Sequence, residues 1–146
     1  MSGRKESYLH YYSKKLITRW LKDCKNINNN FKQKIKFTDL KVIDEYCLTA
    51  ESAKKNWKEL GFTKHNPSYE EVTAKGYKVL RVVDLMLLDE NKPKYIFEIC
   101  HTNKLNPKKV QNLIDLGFKN MIFELDCMWI MTRLNIPDYW KFSDWF

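Results

Sequence analysis

The sequence predicts a single α/β domain in which helices pack on a mixed β-sheet. Two β-rich segments separated by a short turn, 77–88 and 94–100, predict an antiparallel hairpin. A helix capped by Asn106 and a third strand at 121–125 follow, and the right-handed crossover rule places that strand parallel to the second. The length of 146 residues suits one compact domain, which we expect to span 1–146.

The N-terminal segment predicts an amphipathic helix over 6–25. Its apolar residues recur at spacings of three and four and form one stripe: Leu9, Tyr12, Leu16, Ile17, Trp20 and Leu21. Glu6, His10 and Lys14 are spaced by four, so they stack on a separate polar ridge of the same helix. The N-terminal helix is therefore expected to pack on the sheet through the stripe.

The middle of the chain has weaker patterns. Residues 42–48 are rich in β-forming side chains and predict a strand. Thr49 is suited to capping a short peripheral helix within 49–61. The clearest core is therefore expected at 1–25 and 77–130.

The tail 131–146 contains several aromatic residues with Lys141 between them. Aromatic side chains interleaved with a cation can stack nucleic-acid bases. Packing on the domain or on a partner is the more common role of such a tail, and both roles stay open.

The positive charge of the chain is concentrated at its N-terminal end. The formal net charge is +8, from 26 basic and 18 acidic residues. Residues 1–41 contain 11 Lys or Arg and 3 Asp or Glu, whereas residues 42–146 contain 15 of each kind. A one-sided basic segment attracts a phosphate backbone, although lysine-rich faces are also ordinary solvated surface. We expect nucleic-acid contacts at five lysines: Lys14, Lys15, Lys22, Lys25 and Lys104.

The sequence argues against membrane and secreted classes. No run approaches the ~18 consecutive apolar residues of a membrane span, and residues 1–15 carry charges where a signal peptide has its apolar core. We expect an intracellular protein, in the cytoplasm or the nucleus, that has no membrane partner. The four cysteines lie far apart without a CxxC pair, which argues against a disulfide framework and predicts reduced, mostly buried thiols.

Two carboxylates interrupt the apolar hairpin. Asp84 lies near the middle of the first predicted strand of that hairpin, and Glu98 near the middle of the second. Ionised carboxylates in apolar strands are costly unless they are paired or bound to a cation. A hard cation such as Mg²⁺ takes one or two carboxylates with water and phosphate oxygens, which suits phosphodiester hydrolysis. The alternative is an ion pair with Arg81 or with a lysine of the first helix.

The order of these motifs resembles the PD-(D/E)XK nuclease superfamily, and most closely its competence-protein branch, the CoiA-like nucleases. The resemblance covers 4–25 and 77–130. The residues that carry it are Glu6, Ser7, His10 and Lys14 in the first helix, Arg81 and Asp84, then Glu98, Ile99 and Thr102, then Lys108 or Lys109, and the strand from Ile122 to Asp126.

The resemblance implies a restriction-endonuclease-like core with a metal-dependent nuclease site. Asp84 and Glu98 would hold one or two Mg²⁺ or Mn²⁺ ions, and Glu6 would complete the site. His10 would serve as a proton carrier near the metal or have a structural role. The expected substrate is DNA, and the oligomeric state stays open.

Cys100 departs from the pattern of this superfamily, which usually has Lys or Gln two residues after the glutamate. A cysteine cannot neutralise charge on a phosphate as a cation does. We expect Lys104, Lys108 or Lys109 to supply that charge. The alternative is a catalytically inactive module that keeps the fold and binds nucleic acid or a protein partner. A zinc cluster of Cys100, Cys127 and a histidine is a further, weaker alternative.

Overall fold

The computed structural model describes residues 8–23, 38–100, 105–128 and 130. These residues form three helices and four strands, in the order α1 (Tyr8–Asp23), β1 (Leu40–Leu48), α2 (Tyr69–Ala74), β2 (Arg81–Asp89), β3 (Lys92–Cys100), α3 (Pro107–Leu113) and β4 (Ile122–Asp126). None of these helices is long and apolar enough to cross a membrane.

The four strands form one mixed sheet in the order β1-β2-β3-β4. β1 pairs with β2 and β2 with β3 in antiparallel orientation, whereas β3 and β4 are parallel. The turn between β2 and β3 consists of Glu90 and Asn91, both with positive φ, as two-residue hairpin turns require. The predicted α/β class, the hairpin and the parallel last strand are confirmed.

Helix α1 packs on one face of the sheet through its apolar stripe. Leu16, Ile17 and Leu21 are buried in a core cluster with residues of β2, β3 and β4, including Leu85 and Phe97. Burying such side chains stabilises the fold by roughly 1.5–3 kcal/mol each. The predicted helix is confirmed over Tyr8–Asp23, and its predicted ends at 6–7 and 24–25 lie outside the described residues.

Helix α3 belongs to a second core cluster, in which Leu113 packs with Met86 and Ile96 of the hairpin. The Asn106 side chain accepts a hydrogen bond from Lys109 N at 2.8 Å, which confirms the predicted N-cap. The wide turn Ile114–Phe118 continues the helix and contains Gly117 at a φ of 106°, a conformation that glycine adopts without a Cβ clash.

The helix predicted within 49–61 is wrong, because this segment forms two consecutive turns. Thr49 and Ser52 bond each other's backbone N–H through their hydroxyl groups and cap the first turn. Asn56 and Glu59 bond in the same reciprocal way and begin a second turn. Because the second cap lies only seven residues after the first, it begins a new turn before the first turn can extend into a helix. The indole N–H of Trp57 donates to Cys47 O and fixes the segment on β1.

Candidate functional site

The candidate site lies where β2 and β3 separate. Regular strand pairing extends to Leu85 and Phe97, and beyond these residues side chains join the two strands. Ile99 N donates to Asp84 Oδ2 at 2.7 Å, and Asp84 N donates to Glu98 Oε1 at 2.8 Å. Each carboxylate therefore accepts a backbone N–H of the neighbouring strand. This reciprocal bonding fixes both carboxylates at one end of the hairpin.

Glu98 is buried and paired with a cation. Its side chain retains 4% exposure, and its Oε2 accepts from Arg81 Nε at 2.8 Å and also from Arg81 Nη2. With Oε1 bonded to Asp84 N, both oxygens of the carboxylate have donors. The ion pair considered as an alternative in the sequence is thus present, at Glu98.

Asp84 lies against a histidine of α1. His10 Nε2 is 3.2 Å from Asp84 Oδ2 and 3.1 Å from the carbonyl oxygen of Ile99. Both neighbours are hydrogen-bond acceptors, so a proton on Nε2 satisfies the geometry. Because Asp84 Oδ2 and the Ile99 carbonyl oxygen both face the position of His10 Nε2, they favour a positive charge at that position. His10 therefore belongs to the site, although the sequence left its role open.

Burial and mutual repulsion shape the electrostatics of the two carboxylates. Burial and, to a smaller extent, the nearby charge of Asp84 raise the pKa of Glu98 from its ordinary 4.5 to about 7, although Arg81 and the hydrogen bond from Asp84 N act in the opposite direction. The direction follows from the buried position, since removing a carboxylate from water disfavours its charged form. A divalent cation between the two groups would relieve both penalties.

Lys14 is buried against protein carboxylates, whereas the sequence predicts that it contacts a phosphate. The residue is 3% exposed, and its Nζ lies 2.9 Å from Asp44 Oδ1 and 3.4 Å from Glu45 Oε1. Glu45, at a φ of 52°, follows Asp44 in β1, at the point where the strand register passes from the pair Asp44 and Leu85 to the pair Tyr46 and Val83. The Lys14 ammonium therefore forms ion pairs with carboxylates of the protein itself, and these ion pairs connect α1 to the edge strand β1. The contact with nucleic acid stays a prediction that would require these ion pairs to open.

The remaining predicted cations are spread over the surface. Lys15 is exposed on α1, with its Nζ 5.2 Å from the ring centroid of Tyr11. Lys108 and Lys109 are exposed in the first turn of α3. Within the described part of the chain, neither makes an ion pair with Asp84 or Glu98. The side chain of Lys22 and three further predicted site residues lie outside the described residues: Glu6, Lys25 and Lys104.

The donor set is suited to a hard cation, although it is small. In the ranges that the structure describes, no group of three or more His, Cys, Asp or Glu side chains is arranged to hold a metal ion, whether magnesium or zinc. Asp84, Glu98 and the Ile99 carbonyl would be the oxygen ligands of such an ion, and Mg²⁺ commonly takes only one or two carboxylates beside water and substrate oxygens. These oxygens fit Mg²⁺ or Mn²⁺ if Glu98 Oε2 exchanges Arg81 for the ion.

Sequence reasoning named an ion pair with Arg81 as an alternative and left the role of His10 open, but it did not assign either side chain to a particular carboxylate. The spacing of Arg81 and Asp84 by three residues, and of His10 and Lys14 by four, is visible in the sequence. Which carboxylate each cation meets depends on how α1 docks and where the hairpin opens.

Comparison with protein-family models, curated proteins and solved structures finds no match.

Proposed function

We propose that the protein is a metal-dependent nuclease that hydrolyses phosphodiester bonds, with DNA as its substrate, on a restriction-endonuclease-like core. The observation that carries the proposal is the carboxylate pair of Asp84 and Glu98, held by reciprocal backbone hydrogen bonds at the open end of the hairpin. Fixed oxygen ligands of this kind are what a catalytic Mg²⁺ or Mn²⁺ requires.

The reaction adds water across one ester bond of the phosphodiester. The water oxygen bonds to phosphorus, the bond from phosphorus to the leaving sugar oxygen breaks, the water loses one proton and the leaving oxygen gains one. Mg²⁺ or Mn²⁺ bound here would lower the pKa of the attacking water and neutralise developing charge on the phosphate. Asp84 and Glu98 would hold the ion, and His10, whose Nε2 faces Asp84 and the Ile99 carbonyl, is suited to keep the Asp84 carboxylate in position.

The electrostatics support a divalent cation rather than a permanently neutral pair. Glu98 is nearly inaccessible to solvent, and the charge of Asp84 adds to the penalty that burial imposes on its ionised form. Natural folds seldom keep two close carboxylates in apolar strands unless a cation compensates them. Arg81 compensates only one of the two, and the contact from His10 compensates Asp84 fully only when the imidazole is protonated.

A second function, binding of nucleic acid without cleavage, is favoured by two observations. Arg81 already neutralises Glu98, and Cys100 stands where the superfamily it resembles usually has Lys or Gln. In such a module the ion pair would replace the metal as the partner of the carboxylate. The two functions differ in one property, hydrolysis that requires a divalent ion.

Cleavage of supercoiled plasmid DNA in Mg²⁺ or Mn²⁺ tests the proposal. We expect nicking by the natural protein that stops with EDTA and falls at least about 100-fold in Asp84→Asn and Glu98→Gln. Glu70→Gln, which neutralises an exposed carboxylate of α2, is the matched control and should keep activity. Absence of cleavage in both metals, with DNA binding retained, would establish the non-catalytic module instead.

A further inference from the structure

The proposed reaction needs a cation beside the phosphate, and Cys100 cannot supply it. Of the predicted candidates that the structure describes, Lys14 is buried against Asp44 and Glu45, and the two lysines of α3 make no ion pair with the site carboxylates. Arg81 differs from all of them, because its guanidinium contacts Glu98 directly.

Arg81 connects the buried carboxylate to solvent. Its side chain is 28% exposed, whereas that of Glu98 is 4% exposed. Nε and Nη2 both donate to the single oxygen Oε2 of Glu98, so this ion pair uses two of the five N–H groups of the guanidinium. The guanidinium presents its N–H groups as a planar fork, with which arginine can bind a phosphate through two parallel hydrogen bonds.

We propose that Arg81 is the phosphate-contacting residue of this site and takes the place of the lysine that position 100 lacks; the inference rests on the proposed nuclease function. If a divalent ion were bound to Glu98, the guanidinium could exchange its carboxylate partner for a non-bridging oxygen of the scissile phosphate. Every charge would stay compensated, because Glu98 would have the metal as its partner and Arg81 would have the phosphate. Metal binding and DNA binding should therefore each strengthen the other.

A phosphate-contacting Arg81 and an Arg81 that only stabilises the fold predict different changes in Mn²⁺ affinity. If the guanidinium competes with the metal for Glu98, its removal leaves Mn²⁺ affinity in the absence of DNA unchanged or higher. If Arg81 only holds Glu98 in place, its removal lowers that affinity. The sign of the change in Mn²⁺ affinity is thus a readout that does not depend on activity.

The experiment compares Arg81→Gln and Arg81→Lys with Lys92→Gln, which removes one exposed charge at the opposite end of the same hairpin. Mn²⁺ affinity is measured by calorimetry without DNA, duplex binding is measured in Ca²⁺ over a range of salt concentrations, and cleavage is measured in Mn²⁺ at saturating DNA. For Arg81→Gln we expect retained or tighter Mn²⁺ binding, a salt slope reduced by about 1, and cleavage slower on the order of 100-fold. Lys92→Gln should match the natural protein in all three.

Arg81→Lys is a second variant that keeps the proposal testable if Arg81→Gln does not fold. Lysine keeps the charge but not the fork, so we expect an unchanged salt slope with slower cleavage. Cleavage by both Arg81 variants within about threefold of the natural rate, or weaker Mn²⁺ binding by the folded variants, would overturn the assignment of Arg81 and leave the nuclease function standing. Absence of cleavage by the natural protein would overturn both.

Discussion

Replacing Glu98 by glutamine is expected to remove a loss of stability that the natural protein undergoes as pH rises. The carboxyl group is almost fully buried, and burial together with the charge of Asp84 raises its pKa from 4.5 to about 7. A folded state with a raised carboxyl pKa binds the proton more tightly than the unfolded chain does. The stabilisation from this group is therefore complete below pH 4.5 and is lost as pH rises to about 7.

The pKa difference sets the size of the effect. A difference of this size, at 1.36 kcal/mol for each pKa unit, corresponds to about 3 kcal/mol of unfolding free energy. That is a large fraction of the roughly 5–15 kcal/mol by which a domain is stable. Glutamine resembles the protonated carboxyl in shape and does not titrate, so Glu98→Gln should lack this loss.

Urea unfolding of both proteins between pH 4.5 and 8 measures the difference. We expect Glu98→Gln to gain about 3 kcal/mol relative to the natural protein as pH rises through this range. Glu70→Gln, at an exposed position, should run parallel to the natural protein. A loss of stability of Glu98→Gln relative to the natural protein with rising pH would show that the ion pair with Arg81 outweighs burial and that the pKa of Glu98 is not raised.

Three further changes test the fold and the charge assignments. Leu85→Ala, at a fully buried core position, should lower the free energy of unfolding by about 2–5 kcal/mol in urea, and a loss under about 1 kcal/mol would contradict the packing of α1 on the sheet. Lys15→Gln should reduce the slope of DNA affinity against salt concentration by about 1, whereas Lys14→Met should leave this slope unchanged. The same reduction of the slope in both variants would contradict the burial of Lys14. Cys100→Lys should fold, because the side chain is only partly buried and a lysine stem can extend to solvent, and it should partly restore cleavage to Arg81→Gln; unfolding would identify Cys100 as a core residue.

The sequence predicts the elements whose information is local. The apolar stripe of α1, the hairpin of β2 and β3, the cap at Asn106 and the parallel β4 are all visible as periodicity or turn chemistry. Helix α2 leaves a local mark too, since Ser68 and Glu71 form a capping box, yet its six residues are too few for a clear period. The turns at 49–61 fail as a helix because a second cap, at Asn56, acts against propagation from Thr49.

The partners within the site could be predicted only in part. Two carboxylates in apolar strands indicate that some cation compensates them, and the pattern narrows the choice to a metal or a basic residue. The contacts of His10 depend on how α1 docks on the sheet, and so do the ion pairs of Lys14 with Asp44 and Glu45 of β1. Both are tertiary properties that spacing along the chain does not encode.

Binding of Mn²⁺ to the natural protein is the decisive experiment for a metal site at Asp84 and Glu98. Calorimetry with a short non-cleavable duplex should show metal binding that disappears in Asp84→Asn and in Glu98→Gln and persists in Glu70→Gln. Both carboxylates must contribute, because each is held in place by the strand that carries the other. Mn²⁺ binding that is absent from the natural protein, or that is the same in all four proteins, would contradict the assignment of Asp84 and Glu98 as metal ligands.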